Sequence, residues 1–147
     1  MILNSIYALL ATLSFGILFN IRGKNLIFAC FGGGIGWLFI LIFQEKLKLS
    51  PTFSLFIASI IIGIYSEILA RILKSPVTIF AVCAIIPMVP GNGMYYTLYE
   101  SVNGNAAKAL ITGIQTLASA GAIATGMVLV SSGTKILNSK KKNLIKQ

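Results

Sequence analysis

Val77-Thr78-Ile79-Phe80-Ala81-Val82-Cys83-Ala84-Ile85-Ile86-Pro87-Met88-Val89-Pro90-Gly91-Asn92-Gly93 is an apolar run that ends in two prolines three residues apart and two glycines. A proline inside a helix removes a backbone donor and clashes with the preceding turn, and glycine adds backbone freedom. The run therefore predicts a membrane helix that breaks in mid-course. In hydrocarbon each freed amide or carbonyl costs on the order of several kcal/mol, so such a break persists only where protein or a water-filled cavity covers it. Transporters place substrate sites at broken helices of this kind.

The rest of the chain supplies the membrane setting. Of 147 residues, 56% are hydrophobic and 10% charged, and the mean hydropathy is +0.90. Soluble domains carry about 25% charged residues. The composition predicts an all-α polytopic membrane protein embedded in the lipid bilayer. Histidine and aspartate are absent, and the acids are Glu45, Glu67 and Glu100. That scarcity argues against a metal site, a catalytic acid–base pair and a cofactor, and so against an enzyme. The net charge of +9 does not point to nucleic acid, because the basic residues stand at the ends of apolar runs and near the carboxyl terminus. They read as topology signals. Cys30 and Cys83 lie inside apolar runs and read as small packed hydrophobes.

Five spans follow, at about residues 2–21, 26–43, 52–73, 77–99 and 106–131, in one transmembrane domain over 1–134 with a basic tail over 135–147. The first lacks a basic n-region and is longer than a signal-peptide core, so it reads as a true span. A crossing needs about 20 helical residues. The fourth segment offers roughly 20 Å of helix before Pro90, at about 1.5 Å per residue, so either its broken part completes the crossing or it is re-entrant. Charge favours five crossings. Arg22, Lys24, Arg71, Lys74, Lys135, Lys140, Lys141, Lys142 and Lys146 then share one side, leaving Lys46, Lys48 and Lys108 on the other. The positive-inside rule places the amino terminus outside a plasma membrane and the tail in the cytoplasm.

Other patterns have bland and sharp readings. Gly32-Gly33-Gly34-Ile35-Gly36 sits within a span, without the strand or acidic partner of a nucleotide loop; its Gly32/Gly36 spacing suits close helix approach. Ala118, Ala122 and Gly126 recur every four residues among Thr112, Gln115, Thr116 and Ser119, which either bond between helices or line a cavity at the break. Glu67 and Arg71, at i and i+4, form either an interfacial pair or a proton-coupling site. Tyr95, Tyr96 and Tyr99 form an aromatic belt, unless Tyr95 and Tyr99 gate the cavity. Asn92 either bonds cargo or satisfies loose backbone groups.

The segment Ala81-Val82-Cys83-Ala84-Ile85-Ile86-Pro87-Met88-Val89-Pro90-Gly91 resembles the signature of the threonine/serine exporter family. Phe19-Asn20-Ile21, the basic turn, the glycine-rich second span and Thr52-Phe53 at the start of the third extend the likeness over nearly the whole chain. The resemblance is to the second membrane half, as in the split form of two subunits. It implies a second membrane subunit carrying the other half, and ion-driven export of a small polar cargo: threonine and serine, or a C4-dicarboxylate such as succinate. The residues carried over are Pro87, Pro90 and Gly91.

The expected substrate site comprises Pro87, Pro90, Gly91, Asn92, Gly93 and Tyr95 near mid-depth, with Gln115 and Thr116 as polar lining and Glu67 and Arg71 as the coupling candidates. A bulky residue at Gly91 is expected to stop export. Higher oligomers are compatible with the packing signals. The rival reading is a structural or assembly subunit without a substrate site of its own.

Overall fold

The computed structural model describes residues 2–144, with side chains through 136. Six α-helices make it up: α1 (Ile2–Leu18), α2 (Lys24–Leu41), α3 (Pro51–Ile72), α4 (Val77–Ile85), α5 (Gly91–Val102) and α6 (Ala106–Leu144). A π turn, Ile42–Lys46, prolongs α2, and a 3₁₀ turn, Ile86–Met88, follows α4. No strand occurs among the described residues.

Three helical segments are long and apolar enough to cross a membrane: Lys24–Lys46, Pro51–Ile72 and Ala106–Ile136. The pair Val77–Met88 and Gly91–Val102 makes a fourth if it is one span, bent by 48° at the break. Ile2–Leu18 is shorter, at 17 residues. It ends a turn before the expected boundary because the chain leaves the helix at Asn20, which takes a left-handed φ of 58°. Gly23, at φ 63°, completes that turn in a conformation that L side chains rarely adopt. At the start of α3, the Ser50 hydroxyl accepts from the Phe53 amide at 3.3 Å, and Pro51 fills the first helical position, where no donor is needed.

Small and hydroxylated residues share the interior with Ile40, Leu55, Ile62, Leu69, Phe80, Met88 and Ile123. Ala29, Ala58, Ala84, Thr12, Ser54, Ser59 and Ser66 are buried, whereas Leu10, Ile64, Ile68, Leu117 and Val128 are exposed. Buried small residues beside exposed large apolar ones suit lipid, where helix association rests on close packing rather than on expulsion of water. The glycines of α2 do what their spacing suggested. A Cβ at Gly32 would lie 3.0 Å from the Tyr65 ring and 3.2 Å from Ala84, and one at Gly36 would lie 3.0 Å from Ile62. One at Gly33 would collide with Thr12 of α1. Three neighbours thus close on a single helix. Cys30 and Cys83 are buried and free, as expected.

These contacts also give each helix a direction. Thr12 meets Gly33 and Leu26 meets Gly16, so α1 and α2 are antiparallel. Gly32 meets Ala84 and Gly36 meets Met88, so α4 runs with α2. Ser59 meets Gly126, Val130 meets Gly63 and Glu67 meets Thr134, so α6 runs with α3. Thr116 meets Gly93 and Thr97 meets Gly113, so α5 opposes α6. Tyr65 meets Gly32 and Ile62 meets Gly36, so α3 opposes α2, and α4 and α5 run in the same general sense with a 48° bend between them. One end of the bundle carries Ile2, Lys46, Lys48 and Lys108; the other carries Arg22, Lys24, Arg71, Lys74 and Lys135. Lys140, Lys141 and Lys142 fall on α6 beyond its described side chains, and Lys146 lies outside the described residues. The backbone shows no boundary at residue 131 or 135, since α6 is continuous through Leu144.

Candidate functional site

The break is narrower than the sequence suggests. Pro87 and Pro90 bring no amide hydrogens to a helical ladder, and a proline disfavours the α conformation in the residue before it. Val89 is accordingly extended, at φ −57° and ψ 132°, and Pro90 stands as the residue before α5. Gly91, Asn92 and Gly93, expected to be unwound, form the first turn of α5 instead. Glycine lowers helix propensity but does not forbid a helix, and packing on α6 decides the matter here. The Met94 amide bonds the Pro90 carbonyl at 3.1 Å, closing that first turn.

A cleft of about 330 Å³ opens at this point. The break contributes Pro90 and Gly93, and the start of α3 contributes Pro51 and Thr52. The facing wall is α6, with Thr112, Gln115, Thr116 and Ser119. Those four positions recur at about one helical turn, so they share a face. Thr116 is buried and donates to the Thr112 carbonyl at 2.7 Å. Thr97 donates to the Gly93 carbonyl at 2.7 Å, fixing the first turn of α5. Among the described residues, the side chains of Thr52, Gln115 and Ser119 have no protein partner, so their polar groups are open to a ligand. The cleft is lined by no charged side chain.

Of the expected site residues, Pro90, Gly93, Gln115 and Thr116 therefore come together. The others do not. Pro87 lines a separate cleft of about 340 Å³ beside Tyr7, Ala11 and Trp37. Gly91 and Asn92 are exposed, and a Cβ on Gly91 would meet nothing within 4 Å. A Cβ on Gly93, by contrast, would collide with Thr116 Oγ1. Tyr95 is exposed and stacks on Tyr99 with centroids 6.1 Å apart, outside the cleft lining. Thr112 and Ser119, on the polar face that Gln115 marks, join the lining, and so do Pro51 and Thr52, which no site expectation included. Spacing from Gln115 points to Thr112 and Ser119, but no local signal marks Pro51 and Thr52, which arrive only through the α3–α6 pairing. Their presence sets the cleft level with the first turn of α3 rather than at mid-depth.

Glu67 and Arg71 stand well away from the cleft. Glu67 lies 15 residues beyond Thr52, about 22 Å along the helix at 1.5 Å per residue. Its carboxylate accepts from Thr134 Oγ1 at 2.9 Å and approaches Arg71 Nη2 at 3.8 Å, tying α3 to α6 at the opposite end of the bundle. Arg71 is exposed, and such pairs contribute about 0–1 kcal/mol. Glu67→Gln retains an acceptor for Thr134 and is expected to leave the pH dependence of transport in place. A displaced pH optimum for that variant would put Glu67 back on the transport path.

A family model described as "Threonine/Serine exporter, ThrE" matches residues 4–132 of the chain. No curated protein and no solved structure matches it.

Proposed function

Since the chain belongs to the threonine/serine exporter family, we propose that it is the membrane subunit of a secondary exporter whose cargo binds in the cleft at the α4–α5 break. The observation that carries this reading is a cleft with four hydroxyls and one amide, of which Thr52, Gln115 and Ser119 have no protein partner among the described residues, whereas the buried Thr12, Ser54 and Ser59 hydroxyls bond backbone carbonyls. Unbonded polar groups in such a setting are costly unless a ligand or water completes them.

The chemistry of the lining favours a neutral zwitterion, threonine or serine, over a C4-dicarboxylate. Transferring a dianion into a site without lysine or arginine leaves two charges uncompensated. A zwitterion needs less. Its carboxylate is served by the first turn of α5, whose amides carry partial positive charge. Its hydroxyl and ammonium find acceptors in Gln115, Ser119 and the carbonyls around Pro90. Gly93 lets the α5 backbone sit against Thr116, so the cargo touches main chain.

In this proposal the broken segment counts as one crossing and α1 as another, making five. The end with the larger number of basic residues faces the cytoplasm, and the membrane is the plasma membrane. An ion gradient drives export, and a second membrane subunit bears the other half of the transporter. The test compares labelled threonine, serine and succinate accumulated by cells lacking the chain and by cells given it back, with and without Ser119→Ala. Loss of the hydroxyl is expected to lower threonine efflux by about tenfold, the scale of a charge-assisted hydrogen bond, at unchanged protein level. Wild-type efflux by the variant favours the rival, an assembly subunit without its own site. Succinate as the accumulating solute overturns the choice of cargo.

A further inference from the structure

Beyond the cleft, α6 continues its polar face toward the turn at Asn103–Asn105. Lys108, Thr112, Gln115 with Thr116, and Ser119 follow one another at helical spacing. A second pocket, of about 340 Å³, lies on this face between α5 and α6, lined by Tyr96, Glu100, Lys108, Ile111 and Thr112. Thr112 belongs to both the pocket and the cleft, so the two are neighbours along one track. The pocket holds one carboxylate and one ammonium. Glu100 accepts from Asn105 Nδ2 at 2.7 Å, and among the described residues no ion pair joins it to Lys108. Two opposite charges that share a pocket without pairing leave room for a ligand that carries both.

We propose that Tyr96, Glu100 and Lys108 form an outer subsite that holds a zwitterionic amino acid after it leaves the cleft, the α-ammonium on Glu100 and the α-carboxylate on Lys108. This rests on the reading of the chain as an amino-acid exporter. Asn105 holds the Glu100 carboxylate in place, and the Tyr96 ring beside it offers a face to a cation. The cleft has no charged side chain and the outer pocket has two, so a zwitterion gains full charge complements only on passing outward. Such a step draws cargo off the inner site. It also makes the outer pocket a place where external amino acid competes with cargo on its way out. A zwitterionic lipid headgroup shares this chemistry, and the test separates the two sources.

Ile111→Cys places a thiol in the pocket's apolar wall, while the native Cys30 and Cys83 are buried. The full chain, carrying this substitution in native membranes open on both faces, is labelled with a polar maleimide. Threonine or serine is expected to slow labelling. Adding Lys108→Gln or Glu100→Gln should raise the threonine concentration needed for half-protection by about tenfold each, and should weaken inhibition of efflux by external threonine to the same degree. N-acetylthreonine, which lacks the ammonium, should protect poorly. Unaltered half-protection in both charge variants, or better protection by glycerophosphoethanolamine than by threonine, overturns the subsite. If these arms fail while the wild type still exports threonine, the outer subsite falls and the exporter reading stands. If the wild type exports no amino acid, the exporter reading falls first.

Discussion

Gly93→Leu is expected to cut threonine efflux at least tenfold, while the protein still inserts in normal amount. The first added carbon already collides with Thr116 Oγ1, and Thr116 is buried with its hydroxyl bonded to Thr112. Overpacking of this kind costs roughly 1–3 kcal/mol. The strain falls on the α5–α6 contact beside the cleft, where Gly93 meets Thr116. Either α5 moves away from α6 and the cleft loses its wall, or the leucine fills the cavity. Both abolish cargo contact. Gly91→Ala is the matched control: a Cβ there meets nothing within 4 Å, so efflux should stay near wild type. Equal efflux from wild type and a well-inserted Gly93→Leu would remove the cleft from the transport path.

The second large effect is expected at Gly126, and it is of a different kind. A Cβ there would collide with Ser59 Oγ and stand 2.9 Å from the Phe56 carbonyl oxygen. A side chain can rotate aside; a backbone carbonyl of α3 cannot move without the helix. Gly126→Leu should therefore separate α3 from α6 along the register that Gly63–Val130 and Glu67–Thr134 continue. Less folded protein in the membrane is the expected result, with a melting temperature lowered in detergent, again on the scale of roughly 1–3 kcal/mol or more. Ser59→Ala should rescue only in part, because the Phe56 carbonyl remains. Gly121→Ala, with nothing within 4 Å of the new carbon, should be silent. A Gly126→Leu protein as stable as the wild type would mean that α3 and α6 do not pack as described.

The two glycines separate the roles that small residues play in this chain. Read every fourth residue, Ala118, Ala122 and Gly126 look like one packing stripe. In the fold Gly126 is buried against α3, Ala122 is half-buried and Ala118 is exposed. The stripe fails as a unit because α6 has two partners. Its first half lies against α5 and its second against α3, so the inward face shifts along its length.

Several properties followed from sequence alone because local chemistry compels them. Apolar runs of about 20 residues with few charges point to helices in lipid, where each backbone group finds its partner within its own segment. Two prolines three residues apart have to interrupt that pattern, and the interruption does fall between Ile85 and Gly91. The family resemblance read from Pro87, Pro90 and Gly91 agrees with the match over residues 4–132. Gln115 and Thr116 were also legible, as polar residues in an apolar helix.

What sequence could not supply was the pairing between distant segments. Whether Gly91 or Gly93 meets α6 depends on where the chain resumes its helix after Pro90, and one residue turns a side chain by about 100°. Whether Thr52 joins the cleft depends on the parallel register of α3 and α6, fixed by Ser59 against Gly126 and Glu67 against Thr134. That same register carries Glu67 and Arg71 to the far end. Segment identity and the break come from short-range sterics and solvation, which residues announce in order along the chain. The composition of the cleft comes from contacts between residues dozens of positions apart, and only the packed bundle brings those together.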